Sequence, residues 1–62
     1  MDLQERGLQD EYGARTYLGG IGRTKLYELT GSGELRSVKV GRRRLWPTDA
    51  LREYVDHLQA AG

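Results

Sequence analysis

Glycines at three places, Gly19-Gly20, Gly31-Ser32-Gly33 and Gly41, cut this 62-residue chain into short segments whose apolar spacing changes from one to the next. Ahead of the first break, Ala14, Tyr17 and Leu18 stand at i, i+3 and i+4, so residues 8–18 read as a first helix. Asp10 is its N-cap candidate, and Gly13 weakens it by roughly 0.5–1 kcal/mol relative to Ala. Gly19-Gly20 stops that helix, and Ile21-Gly22 leads into a second, over Arg23 to Thr30, with Leu26 and Leu29 as its inward pair. Two helices joined by a short glycine turn are the outline of a helix-turn-helix.

After Gly33 the period drops to two. Ser37-Val38-Lys39-Val40 alternates as a half-buried strand does, Gly41-Arg42 is a tight turn, and Arg43 to Trp46 returns as a second strand. Pro47 cannot donate to a ladder and is expected to close it. A lone two-stranded hairpin is unstable in water, so this one has to lie on the helices. Thr48 is the N-cap candidate of a last helix, in which Leu51, Tyr54, Val55 and Leu58 form the cleanest helical stripe of the chain. The fold class is therefore mainly α with a small β-hairpin: a winged helix-turn-helix spanning residues 8–62, preceded by an arm of residues 1–7 with Leu3 as its one apolar anchor. The expected core is Leu18, Ile21, Leu26, Leu29, Leu35, Val38, Val40, Trp46, Leu51, Tyr54, Val55 and Leu58.

Composition closes several other routes. There is no Cys and a single His, His57, so disulfides, thiolate metal sites and a His-built metal cluster are all excluded. No apolar run approaches the ~20 residues of a membrane span, and the acidic start lacks the pattern of a signal peptide, which points to the cytoplasm. A Ser-His-Asp set is not available. Gly19-Gly20-Ile21-Gly22-Arg23-Thr24 does not fit the phosphate-loop pattern G-x-x-x-x-G-K-[ST]. The expectation is a non-enzyme without cofactor or metal.

The net charge of +1 hides a segregation. Residues 15–44 hold eight cations against Glu28 and Glu34, a net +6, whereas residues 1–14 carry −3 and residues 45–62 carry −2. A basic middle between acidic flanks gives one face a positive field and suits a polyanion, double-stranded DNA above all. The second helix offers Arg23, Thr24 and Lys25 in its first turn and Tyr27 and Glu28 one turn on. A helix fits the major groove, and helix-turn-helix proteins present the start of their second helix there. Arg23 suits a guanine edge or a phosphate, Thr24 a phosphate or a thymine methyl, Tyr27 a phosphate, and Glu28 a cytosine amine or the rejection of wrong registers. Lys39, Arg42, Arg43 and Arg44 concentrate four cations on the hairpin, a wing suited to the minor groove. The bland alternatives are a solvated polar face for the helix and edge protection for the hairpin. Trp46, at the hairpin's base, reads as core and not as a base-stacking platform, and Tyr12 and Tyr17 as packing or rim residues.

Taken in order, Gly20-Ile21-Gly22-Arg23-Thr24-Lys25-Leu26-Tyr27-Glu28-Leu29, Ser32-Gly33-Glu34-Leu35, Val38-Lys39-Val40-Gly41-Arg42-Arg43-Arg44, Pro47 and Ala50-Leu51 resemble the excisionase family over about residues 8–58. These are small winged helix-turn-helix proteins related in fold to the DNA-binding domains of MerR-type regulators. The chain departs from the family pattern at Gly19-Gly20, where one residue is added. The resemblance implies a recombination directionality factor of a phage or mobile element. Such a protein binds DNA cooperatively beside copies of itself, bends it, and steers a tyrosine-type integrase toward excision. It also implies that Arg23, Thr24, Lys25 and Tyr27 belong to the major-groove helix and Arg42, Arg43 and Arg44 to the wing. The long C-terminal helix of a MerR-type activator is missing, which favours an architectural role. Two alternatives stand beside it: a small winged-helix transcriptional repressor, and an adaptor whose basic face meets an acidic protein. The acidic pair Asp10-Glu11 is a candidate contact for a neighbouring copy's wing.

Overall fold

The computed structural model describes residues 7–61, in the order β1 (Leu8–Gln9), α1 (Glu11–Tyr17), α2 (Arg23–Gly31), β2 (Val38–Val40), β3 (Arg43–Pro47) and α3 (Thr48–Ala61). The fold is a winged helix-turn-helix: three helices and a small antiparallel sheet with strand order β1-β3-β2. The arm expected over residues 1–7 lies outside the described residues except for Gly7, whose carbonyl accepts a hydrogen bond from the Thr48 backbone N–H at 2.9 Å.

The first helix is shorter than its apolar spacing suggested. Asp10 is indeed its N-cap, extended at φ −79°, ψ −175°, with Oδ1 accepting from the Gly13 N–H at 2.8 Å. An extended N-cap leaves no helical backbone before it. Leu8 and Gln9 accordingly run as a strand, opposite Pro47 and Trp46 of β3. A Cβ at Gly13 would stand 2.5 Å from Gln9 Oε1, so the end of the Gln9 side chain would have to shift to admit one.

The interhelical turn rests on two consecutive residues of positive φ, Gly19 at 86° and Gly20 at 82°, where a side chain would be strained. Their N–H groups bond the carbonyls of Thr16 and Arg15, at 3.0 and 2.8 Å, and so satisfy the open end of α1. Arg15 Nε then donates to the Ile21 carbonyl at 3.0 Å and ties the entry of α2 to α1. Both glycines thus lie within a hydrogen-bonded turn.

In the wing, Val38, Lys39 and Val40 pair with Leu45, Arg44 and Arg43 across the two-residue loop Gly41-Arg42. Gly41 has φ 63° and Arg42 does not lie at positive φ, the pattern of a type II′ turn, whose twist matches the strands it joins. Pro47 closes β3, one residue beyond the expected Trp46. It is the strand's last residue, facing Leu8. Thr48 is the first residue of α3 and is buried. Its hydroxyl accepts a hydrogen bond from Gln9 Nε2 at 3.2 Å, which locks β1 onto the start of α3.

The core is Ala14, Leu26, Leu29, Leu35, Trp46 and Leu51, with Leu18, Ile21, Tyr27 and Tyr54 packed against it. Trp46 is fully buried, and its Nε1–H donates to Thr30 Oγ1 at 3.0 Å, while Thr30 Oγ1–H donates to the Leu26 carbonyl at 2.9 Å. The base-stacking alternative for Trp46 therefore has no surface to work from. Four residues assigned to the core are not in it: Val38, Val40 and Leu58 are exposed, at 39%, 54% and 50%, and Val55 is half-buried outside the cluster. Val38 and Val40 belong to the wing, which extends beyond the helices, and Leu58 lies in the last turn of α3. Ala14 and Ala50 take their place, because small side chains let backbones approach closely. No helix among the described residues is long and apolar enough to cross a membrane.

Candidate nucleic-acid interface

The start of α2 is built open. Gly22 is its N-cap, no side chain caps it, and no acidic residue stands in its first turn. The unpaired N–H groups and the positive end of the helix dipole therefore meet solvent, an arrangement that attracts anions. Leu26 and Leu29 anchor the inner side of the helix. Arg23, Thr24, Lys25 and Glu28 are exposed on it, Lys25 Nζ lying 3.7 Å from Glu28 Oε1. Tyr27 stands between the two sides. Its ring meets Trp46 edge-on, with centroids 5.6 Å apart and planes at 82°, and the Arg23 guanidinium lies 5.2 Å from its centroid.

One carboxylate organises this end of the helix. Glu11 Oε1 accepts from Arg23 Nε at 3.0 Å and from the Tyr27 hydroxyl at 3.3 Å, while its Oε2 lies 3.8 Å from Arg15 Nη1. The hydrogen bond from Arg23 to Glu11, the charge of Glu11 and the nearby Tyr27 hold the Arg23 guanidinium above its already high ordinary value. Arg23 is thus a cation at any pH at which a protein folds.

The wing carries its charge differently. Lys39 and Arg44 face each other across the ladder, a like-charge pair that disfavours the hairpin unless an anion sits on it. Arg44 Nη1 donates to Ser37 Oγ at 2.7 Å, and Arg43 Nη2 reaches Asp10 Oδ2 at 4.0 Å. Among the described residues Lys39 and Arg42 form no ion pair. Between α1, α2 and the wing lies an open cleft of about 350 Å³, lined by Asp10, Glu11, Tyr12, Tyr27, Arg43 and Arg44. The second helix and the wing thus border one surface, with the start of α1 between them.

Residues 16–58 match the family model described as "Helix-turn-helix domain". The chain belongs to the helix-turn-helix domain family. It is also similar to a probable excisionase from Saccharopolyspora erythraea, at 49% identity over 41 residues, which is 66% of this chain and 42% of the relative. The chain thus spans less than half the length of that curated relative. No solved structure matches it. The family is one of DNA binders, and the resemblance to excisionases seen in the residues is met by this relative.

Within this helix-turn-helix, the residues singled out from sequence fall into two groups, Arg23, Thr24, Lys25, Tyr27 and Glu28 on α2 and Lys39, Arg42, Arg43 and Arg44 on the wing. The shared cleft joins them through Tyr27, Arg43 and Arg44. Sequence reasoning missed Glu11 as part of this surface. The available signal was the acidic pair Asp10-Glu11 set against a basic middle. Both residues pair within their own chain, Asp10 with Arg43 and Glu11 with Arg15 and Arg23.

Proposed function

We propose that this protein is a sequence-specific DNA-binding excisionase. Helix α2 enters the major groove by its open N-terminal turn, and the wing lies along the adjacent minor groove. Arg23 and Lys25 contact guanine edges or phosphates, Thr24 and Tyr27 contact phosphates, and Glu28 rejects wrong registers. Lys39, Arg42, Arg43 and Arg44 grip the backbone. The observation that carries this reading is the common cleft, in which the Tyr27 side of α2 and the Arg43-Arg44 side of the wing border one surface. Two elements that border one surface can face one duplex.

The excisionase role extends the likeness to the relative from Saccharopolyspora erythraea and the ordered motifs of the sequence. On this reading the protein binds short repeats beside an attachment site in several copies, bends the DNA, and directs a tyrosine-type integrase toward excision. The test is a gel-shift titration on genomic fragments enriched by the protein, with the binding site permuted along each fragment. A ladder of cooperative, strongly bent complexes near an attachment site is expected. A single, weakly bent complex over a promoter identifies a repressor instead. With about five phosphate contacts, log affinity should fall against log salt with a slope near −4 to −5, at ~0.9 per phosphate. No salt-sensitive shift on any duplex removes the DNA-binding assignment.

A further inference from the structure

Arg23 is held by one edge only. Glu11 takes its Nε–H, at 3.0 Å, and the guanidinium remains largely exposed, with 69% of the Arg23 side chain open to solvent. The same carboxylate oxygen accepts the Tyr27 hydroxyl, and Arg23 stacks over the Tyr27 ring. Glu11 itself is fixed from behind: it lies in the first turn of α1, where the helix dipole favours an acid, and its other oxygen faces Arg15, which is tied to the entry of α2. A guanidinium gripped through Nε is oriented, and its two terminal amino groups form the fork that reads guanine O6 and N7. The partner charge also offsets Arg23's pull on phosphates, which lie at every position of any duplex.

We propose that Glu11 is a positioning residue that sets DNA specificity: by holding Arg23 Nε and the Tyr27 hydroxyl it aims Arg23 at a base edge and keeps it from clamping any phosphate in reach. This inference rests on the DNA-binding reading above. It adds a role for a residue outside both DNA-contacting elements. Removing the charge should therefore narrow the gap between the two kinds of binding. With Glu11→Gln, random duplex should bind tighter, by roughly two- to fivefold, and with a salt slope steeper by up to ~0.9. Duplexes selected by the wild-type protein should bind no tighter, or weaker.

The experiment measures affinities of wild type, E11Q, R23Q and E11Q/R23Q for a random 20-base-pair duplex and for duplexes the wild-type protein selects from a random pool. Thermal melts run alongside. The expected result is a specificity ratio roughly fivefold lower in E11Q, on the scale of one loosened base contact, with no effect of E11Q in the R23Q background. Equal tightening on both duplexes would mean a plain field effect, and equal weakening with a lowered melt a plain structural role. Either overturns the proposal while leaving the DNA-binding reading intact. A wild-type chain with no salt-sensitive binding overturns both.

Discussion

Leu26 and Leu29 sink α2 into the core, Tyr27 braces it against Trp46, and Glu11 holds Arg23 at its tip. The wing has little of this. Its valines and its cations are exposed, and two of the cations face each other across the ladder. The two elements border the same cleft, α2 through Tyr27 and the wing through Arg43 and Arg44, yet one is braced and the other is held mainly by its own backbone bonds. The contrast fits the difference between reading and gripping. A base edge is recognised only at a fixed position and angle, whereas a phosphate backbone accepts any cation that comes near.

That contrast breaks most completely at Trp46, which is common to both elements, since it belongs to β3 and packs under α2. Trp46→Ala removes the largest fully buried side chain and leaves Thr30 without its indole partner. A loss of about 3–5 kcal/mol is expected, comparable with the whole stability of a domain this small. Urea denaturation followed by circular dichroism should find the variant largely unfolded at 25 °C. A cooperative transition with a midpoint near that of wild type would show that braced helix and wing do not share one support.

Removing the wing's charge should separate the two elements. R42A/R43A/R44A is expected to make the salt slope of DNA binding shallower by about 2 to 3, at ~0.9 per phosphate contact. The melting temperature should change little, because loss of the Lys39–Arg44 repulsion offsets loss of the exposed Arg43–Asp10 ion pair and Arg44–Ser37 hydrogen bond. If the slope is unchanged, the wing grips nothing. By contrast, Lys25→Ala on the braced helix should weaken selected duplexes more than random ones, and equal weakening would make Lys25 a positioning contact.

Thr30→Val tests the bracing with a smaller change. It strands the buried Trp46 N–H and should cost about 1–3 kcal/mol in thermal or urea unfolding, with little change in side-chain volume. If the cost is below a few tenths of a kcal/mol, the hydrogen-bond chain from Trp46 through Thr30 to the Leu26 carbonyl does not hold α2 in place.

The braced helix and the wing also differ in how well the sequence announced them. Helix α2 was expected over Arg23 to Thr30 and runs Arg23–Gly31, because its stop signals and inward leucines are local. The hairpin was equally legible, since Gly41 and the alternation around it lie within a few residues. Strand β1 was not. Its two residues are too few to show a period, and they pair with residues almost forty positions away. Glu11 escaped for the same reason. As the first residue of a helix it needs no explanation beyond the dipole, and its contacts with Arg23 and Tyr27 exist only once the helices cross. Val38 and Val40 were misjudged because alternation shows that a strand has two faces and not whether anything covers either of them. Ala50 was overlooked because alanine adds little to an apolar pattern yet fits where backbones meet, and Ala14, though part of the first helix's apolar spacing, was not carried into the expected core.

The smallest expected effect is at Val40, and it tests the looseness of the wing directly. Val40 is 54% exposed beside Arg43. Threonine is also β-branched, so strand preference is kept while the apolar methyl contribution is lost. If the wing is held by its ladder and its turn, Val40→Thr should change stability by no more than about 0.5 kcal/mol and leave DNA affinity within roughly twofold. A larger loss of stability would mean that Val40 packs on something the exposed hairpin does not offer in isolation. A loss of affinity with unchanged stability would mean that the valine, and not only the arginines around it, touches the duplex. The wing would then read shape by an apolar contact as well as grip by charge.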